Sequence, residues 1–145
     1  MAFNELQVGD QVIRYDRTRT QCVYSSLEKG DADECGCICC QNFAAQRDSV
    51  YPELFKRLLD QLGIDPAKEG EVYEMGPTDE GKYMYGGWFY FAGEMIAAGE
   101  KTSHSEALEY WFTANCPEAP AFRGGPLLAL EFVTALNWVL PVHPE

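Results

Sequence analysis

The stretch YMYGGWFYFAGEMI, residues 83 to 96, indicates the fold class more clearly than any other part of the chain. It is rich in aromatic residues, which are favoured in a β-strand, where successive side chains point to opposite faces of a sheet. Gly86 and Gly87 interrupt the aromatic run and predict either a β-bulge or a close approach of another backbone. We therefore predict one long strand. One face would carry Tyr83, Tyr85, Phe89 and Phe91, and the other Met84, Trp88 and Tyr90.

Residues 49 to 63, SVYPELFKRLLDQLG, predict an amphipathic helix ahead of this strand. Ser49 is a helix-start residue, and Pro52 lies in the first turn, where proline is tolerated. Gly63 fits the position just after the helix, from which Ile64 can pack back on the last turn. The predicted apolar face comprises Tyr51, Leu54, Phe55, Leu58, Leu59 and Leu62.

The N-terminal part of the chain contains further helix signals. Residues 7 to 15, QVGDQVIRY, predict a short strand, after which Thr18 has capping-box spacing for a short helix. Residues 28 to 36, EKGDADECG, are polar and acidic and predict a loop. Residues 39 to 47, CCQNFAAQR, predict a helical segment that breaks near residue 48.

The C-terminal half predicts mainly strands. Residues 70 to 75, GEVYEM, predict a strand, and residues 76 to 82, GPTDEGK, a turn. Residues 106 to 116, EALEYWFTANC, predict an aromatic-rich strand or a short helix. Residues 127 to 140, LLALEFVTALNWVL, have an ambiguous composition, but they follow a Gly-Gly-Pro turn, and we predict a strand. Helices followed by strands indicate a single α+β domain over residues 1–145, with N-terminal helices packed on a mostly antiparallel sheet.

Charge restricts the classes of partner. The formal net charge is −12, from 23 acidic and 11 basic residues. Such a surface repels phosphate backbones and anionic membranes, so we expect neither nucleic acid nor a membrane as partner. It suits either solubility alone or a basic partner protein.

The expected cellular location is inferred from the N-terminal residues, MAFNELQVGDQ. They lack the basic and apolar regions of a signal peptide, and no segment has the roughly 18 apolar residues of a membrane span. We therefore expect a cytoplasmic protein, in which thiols stay reduced.

Residues 34 to 43, ECGCICCQNF, bring four cysteines within six positions. Cys35 and Cys37 can point the same way in an extended loop, and Cys37 and Cys40 have the C-x-x-C spacing that wraps a metal ion from a turn. These three residues are candidate zinc ligands. The fourth ligand is undetermined, because a second C-x-x-C is missing, and its candidates are Cys22, Cys39, His104 and Cys116.

Two alternatives remain for this cluster. Cys37 and Cys40 could form a redox-active dithiol, since a helix N-terminus lowers the pKa of a thiol. The acids before it, Glu28, Asp31, Asp33 and Glu34, are expected to raise thiol pKa values and so to oppose this activation. The cysteines could instead be small buried apolar residues at the start of a helix.

The order of several landmarks resembles an uncharacterised family of small bacterial proteins. The landmarks are C-x-C-x-x-C-x-N-F at residues 35 to 43, LGID at 62 to 65, YGGWFYFAG at 85 to 93, and LEF…WVL at 130 to 140. This resemblance implies a one-domain bacterial protein and favours a strand at the C-terminus, but it implies no activity. Two residues depart from the pattern: Cys39 is an additional thiol, and Tyr90 stands where a histidine is expected.

We expect a non-enzymatic binding or interaction protein, of the immunity or antitoxin type, with a structural zinc ion at the cysteine cluster. The chain is small, acidic and aromatic-rich, and the pattern of its two histidines predicts no catalytic triad. The alternative is a thiol- or metal-dependent enzyme that uses Cys37 and Cys40.

Overall fold

The computed structural model describes residues 3–142, which form helices packed against a seven-stranded sheet. In chain order the elements are β1 Asn4–Val8, β2 Gln11–Tyr15, α1 Arg17–Ser26, α2 Asp31–Cys35, α3 Ile38–Ala45, α4 Arg47–Val50, α5 Glu53–Leu62, β3 Glu71–Pro77, β4 Tyr83–Ala97, β5 Ser103–Ser105, β6 Leu108–Thr113, a 3-10 helix Pro120–Phe122 and β7 Leu127–Leu136. The strand order is β1-β2-β4-β7-β6-β5, and β3 pairs with β4 beyond the end of β2. Every pair is antiparallel, which confirms the predicted α+β class.

The first two strands form a hairpin, although the sequence predicted one strand over residues 7 to 15. Gly9 and Asp10 make the turn between them. The Asp10 carboxylate accepts a hydrogen bond of 2.8 Å from the backbone N–H of Glu100, so the loop after β4 holds this turn in place. The prediction was wrong because it rested on the alternation of apolar residues alone. A Gly-Asp pair between two short strand-like segments is itself a hairpin signal.

Helix α1 confirms the predicted short helix but not its predicted cap. The carboxylate of Asp16, rather than the hydroxyl of Thr18, accepts a hydrogen bond of 3.0 Å from the backbone N–H of Arg19. Thr18 lies inside the helix and is exposed. The hydroxyl of Thr20 accepts a hydrogen bond of 2.9 Å from the backbone N–H of Ala92, which attaches the helix to β4.

The predicted helix over residues 49 to 63 is divided in two. Ser49 lies inside α4, and α5 begins after Pro52, because the residue before a proline disfavours helical backbone and Tyr51 is extended. The predicted C-terminus is confirmed: Gly63 has a φ of 85°, and the N–H groups of Gly63 and Ile64 donate to backbone carbonyls of the last turn. Among residues 3 to 142, no helix is both long and apolar enough to cross a membrane.

The apolar face of α5 is narrower than predicted. Phe55, Leu59 and Leu62 are fully buried, whereas Leu54 is 64% exposed. At 100° per residue, Leu54 lies about a quarter turn from the centre of the buried stripe. The prediction for Leu54 was therefore wrong, although it was right for the rest of the face.

Strand β4 forms the middle of the sheet and confirms the predicted alternation. Tyr85, Phe89 and Phe91 are fully buried on one face, which we call the inner face. The glycine pair does not form a bulge, because the pairing with β3 is regular there. It does allow a close approach: a Cβ on Gly87 would lie 2.4 Å from the Glu71 carbonyl oxygen.

The core is an aromatic cluster between the helices and the inner face. Tyr51 and Phe55 contact Phe132 of β7 at ring-centroid distances of 5.4 and 6.1 Å. Phe43 of α3 packs on Tyr85 at 5.9 Å. Because α3 carries Phe43 into this core, the cysteines at the start of α3 are held on a rigid element.

Two segments near the C-terminus had sequences that fit either a helix or a strand, and the structure shows which they form. Residues 106 to 116 contain strand β6, not a helix, and β5 pairs with it across a turn at Glu106, whose φ is 56°. The predicted strand over residues 127 to 140 is confirmed as β7, which ends at Leu136. Trp138 lies beyond the strand and packs on Tyr83 at 5.3 Å.

Candidate metal centre

The acidic segment before the cysteines contains a helix, α2, where the sequence predicted only a loop. Asp31, Asp33 and Glu34 lie in its first turn, where negative charge is favourable beside exposed backbone N–H groups. The Asp31 carboxylate also accepts a hydrogen bond of 3.0 Å from the backbone N–H of Val72 in β3. This contact fixes α2 against the sheet and so determines where Cys35, its last residue, can lie.

Gly36 links α2 to α3 and turns the chain sharply. Its φ of 69° lies in the left-handed region, which glycine adopts at no steric cost. The side-chain amide of Gln41 donates a hydrogen bond of 2.8 Å to the Gly36 carbonyl and stabilises the turn. Cys37 then occupies the N-cap of α3, and Cys40 lies in its first turn.

The sulfur atoms of Cys35, Cys37 and Cys40 all lie within 4.8 Å of one another. Sulfurs that share a tetrahedral zinc ion at about 2.3 Å lie about 3.8 Å apart, so modest side-chain rotation would bring the three sulfurs to the spacing of zinc ligands. Cys35 and Cys37 are exposed, and Cys40 is buried, so an ion would reach the site from solvent. The three predicted ligands are therefore brought together by the fold.

Hydrogen bonds stabilise a thiolate at Cys37. Burial raises the pKa of Cys37, but the backbone N–H of Cys40 and the thiols of Cys35 and Cys40 donate to its sulfur, and the net effect is a lowered pKa. The distance from the Cys40 nitrogen to the Cys37 sulfur is 3.4 Å. The acids before the cysteines, which were expected to oppose this activation, are not among the main causes of the Cys37 shift. Asp31 accepts a hydrogen bond from the backbone N–H of Val72, and Asp33 pairs with Arg47.

Cys40 has the opposite tendency. Burial raises its pKa, as do its hydrogen bonds with Cys35 and Cys37, and the net effect is a pKa far above the ordinary value of a thiol. Without a metal, the Cys40 thiol therefore stays protonated and acts as a hydrogen-bond donor to the neighbouring sulfurs. A cation at the centre of the group would displace that proton.

Cys39 lies beside the three sulfurs but outside their group. Its thiol donates a hydrogen bond of 3.6 Å to the Glu74 carboxylate of β3. Burial and this carboxylate raise the pKa of Cys39 to about 11, and the charges of Cys37 and Cys35 contribute in the same direction. Glu74 is a site residue that the sequence analysis missed, because only the packing of β3 against α3 brings it here.

The other candidates for a fourth ligand lie elsewhere in the described part of the chain. Cys22 is exposed on α1, and Cys116 is half-buried in the segment after β6. His104 is exposed on β5, where its Nδ1 lies 3.9 Å from a carboxylate oxygen of Glu109. None of these side chains joins the sulfur group within residues 3–142.

A buried ion-pair network anchors the site to the rest of the protein. Arg47 of α4 lies 2.6 Å from the buried carboxylate of Glu69 and 3.3 Å from Asp33 of α2. The hydroxyl of Tyr51 donates a further hydrogen bond of 3.3 Å to Glu69. Burial raises the pKa of Glu69, and Arg47 opposes this shift. Through Arg47 and Glu69, the network connects Asp33 of α2 with Tyr51 in the core.

Comparisons with the models of known protein families, with curated proteins and with solved structures find no match to this chain.

Proposed function

We propose that this protein is a non-enzymatic binding protein in which Cys35, Cys37 and Cys40 hold a structural zinc ion. The observation that carries the proposal is the convergence of the three sulfur atoms within 4.8 Å of one another. Thiolates are soft ligands that favour zinc over magnesium or calcium. The lowered pKa of Cys37 favours the deprotonation that a bond to the metal requires.

The ion would have a structural role because of where its ligands lie. Cys35 ends α2, whereas Cys37 and Cys40 begin α3. A bound zinc would therefore cross-link the acidic helix to the helix that carries Phe43 into the core. Structural zinc takes four ligands. Glu74, which accepts a hydrogen bond from the Cys39 thiol, is one candidate for the fourth ligand, and a water molecule is the alternative.

The binding role is inferred from charge and from the composition of the site. The net charge of −12 favours a basic partner protein, as in immunity or antitoxin proteins that block a basic target. Within residues 3–142 the sulfur group contains no histidine, since His104 is exposed on β5. The other histidine, His143, lies outside the described residues.

Metal analysis tests the zinc site. Protein purified under reducing conditions without chelator should carry about one zinc per chain, and Cys37→Ser should remove most of it. Cys22→Ser is the matched control, because Cys22 is an exposed thiol outside the group, and it should keep its zinc. Less than about a tenth of an equivalent in the unmodified protein would refute the site.

A second candidate function is thiol–disulfide exchange, and the lowered pKa of Cys37 favours it. The Cys37 thiolate would attack one sulfur of a substrate disulfide and release the other as a thiolate. Cys40, after losing its proton, would then attack the Cys37 sulfur, forming an intramolecular disulfide and releasing the reduced substrate. Alkylation rates measured against pH test this: Cys37 should react at lower pH than free cysteine. Equal profiles would exclude activation of Cys37.

A further inference from the structure

The sheet face opposite the core carries a cluster of aromatic and acidic side chains, which we call the outer aromatic face. The strand register places its members on adjacent positions of β3, β4, β7 and β6. The aromatic members are all partly exposed, although each is large enough to be buried in a core. They are Tyr73, Trp88, Tyr90 and Trp111, with the carboxylates of Glu71, Glu109 and Glu131 between and beside them.

Close packing makes this face rigid. Tyr73 and Trp88 have ring centroids 6.1 Å apart, and Trp88 and Tyr90 are 6.3 Å apart. The Tyr73 ring covers Gly86, since a Cβ built there would lie 2.6 Å from that ring. A rigid aromatic platform loses little conformational entropy on binding, which favours its use for recognition.

The strand segments that form this face supply charges of one sign. Lysine and arginine are absent from β3, β6, β7 and residues 83–90 of β4 in the described chain. The Glu131 carboxylate accepts a hydrogen bond of 2.9 Å from the indole N–H of Trp111, which holds it on the face. Burial is the main cause that raises the pKa of Tyr73, and the negative charges of Glu131 and Glu71 raise it further. Both carboxylates therefore lie close enough to affect the Tyr73 hydroxyl.

We propose that the outer aromatic face docks an arginine-bearing segment of a basic partner protein. A guanidinium group can stack on an indole or phenol ring and at the same time pair with a carboxylate through its planar fork. Trp88 and Tyr73 provide the rings, and Glu71 pairs with Trp88 in the strand register. This inference rests on the binding role proposed above and identifies the surface that performs it.

Two double variants that change the net charge equally test whether the outer aromatic face is the binding site. The probe is a short oligoarginine peptide, titrated at about 0.15 M salt, where long-range attraction is largely screened. Glu71→Gln with Glu131→Gln should weaken binding about tenfold, because two charge pairs of the face are lost. The amide introduced at position 131 retains an oxygen acceptor for the Trp111 indole. Asp79→Asn with Glu80→Gln, in the exposed β3–β4 turn, changes the net charge equally and should weaken binding less than about twofold.

A second pair tests the aromatic contribution. Trp88→Leu keeps apolar bulk but removes the ring, and it should weaken oligoarginine binding more than oligolysine binding. Trp138→Leu, beyond the end of β7, should leave both affinities unchanged. Thermal melting of each variant shows that the compared proteins are folded.

The outcomes separate this inference from the proposed function. Equal weakening by the two charge-matched doubles would overturn the outer aromatic face as the site, while a basic partner would still be supported. No binding of either peptide would contradict both the face and the basic partner. Zinc content measured on the same samples decides the metal site independently.

Discussion

Cys40 is the residue whose protonation would oppose binding of the proposed zinc ion at the cysteine group. It is buried, and its hydrogen bonds with Cys35 and Cys37 raise its pKa further. Cys37, only three residues earlier, has a lowered pKa because it accepts those bonds and a backbone N–H. Cys37 therefore loses its proton more readily than Cys40 does.

Zinc binding should release protons, and its affinity should fall as the pH falls. At neutral pH we expect at least about one proton per ion, from Cys40, because its raised pKa keeps it protonated until the metal displaces the proton. Calorimetry in two buffers of different ionisation enthalpy measures this number. Cys116→Ser should leave it unchanged, since Cys116 lies outside the group, and an affinity independent of pH would contradict the assignment.

At the scale of elements, helix α1 shows how a cap can be misplaced while the helix is predicted correctly. Thr18 has the capping-box spacing, but the chain is already helical there. Asp16 has extended backbone, which is the conformation that an N-cap requires. It is also tied to the sheet, because its backbone N–H donates to the Ala92 carbonyl at 2.9 Å.

Asp16→Ala should lower the free energy of unfolding by about 1 kcal/mol, because the N–H of Arg19 loses its acceptor. Thr18→Ala is the matched comparison at an exposed position and should change stability by less than about 0.5 kcal/mol. Urea denaturation measures both. A larger loss for Thr18→Ala than for Asp16→Ala would restore the cap predicted from spacing.

On the scale of the whole molecule, the proposed zinc ion would connect an acidic helix to the core. Helix α3 takes part in the core through Phe43, and α2 is anchored by Arg47 and Glu69. Loss of the metal would therefore loosen the α2–α3 junction while leaving the sheet intact.

A chelator should lower the melting temperature of the zinc-loaded protein by about 5 °C or more, since a ligand that binds only the folded state stabilises it. Cys37→Ser should melt lower than the unmodified protein and should not respond to the chelator. Scanning calorimetry with and without chelator measures the shift. A chelator response in Cys37→Ser equal to that of the unmodified protein would contradict the proposed ligands.

Short-range patterns gave both confirmed and wrong predictions, since the cap at Thr18 and the single strand over residues 7 to 15 were wrong. Contacts that needed a distant partner element were not predicted. Gly63 ends α5 as predicted because its signal lies within a few residues. Leu54 is exposed, since the width of the buried stripe depends on what packs against it. Glu74 was missed as a neighbour of Cys39 because it is 35 residues away in the chain. The resemblance to a bacterial family stays a prediction.

By itself, the sequence determined the α+β class, the long aromatic strand, the boundary at Gly63 and the three cysteines that converge. Each of these depends on backbone periodicity or on spacing of a few residues, for which local geometry is sufficient. The tertiary structure alone decided that Arg47 pairs with buried Glu69, that Glu74 reaches Cys39, and that Glu71, Trp88 and Glu131 lie side by side on the outer aromatic face. These contacts join distant segments, and their positions follow from sheet register and helix packing, which no local pattern encodes.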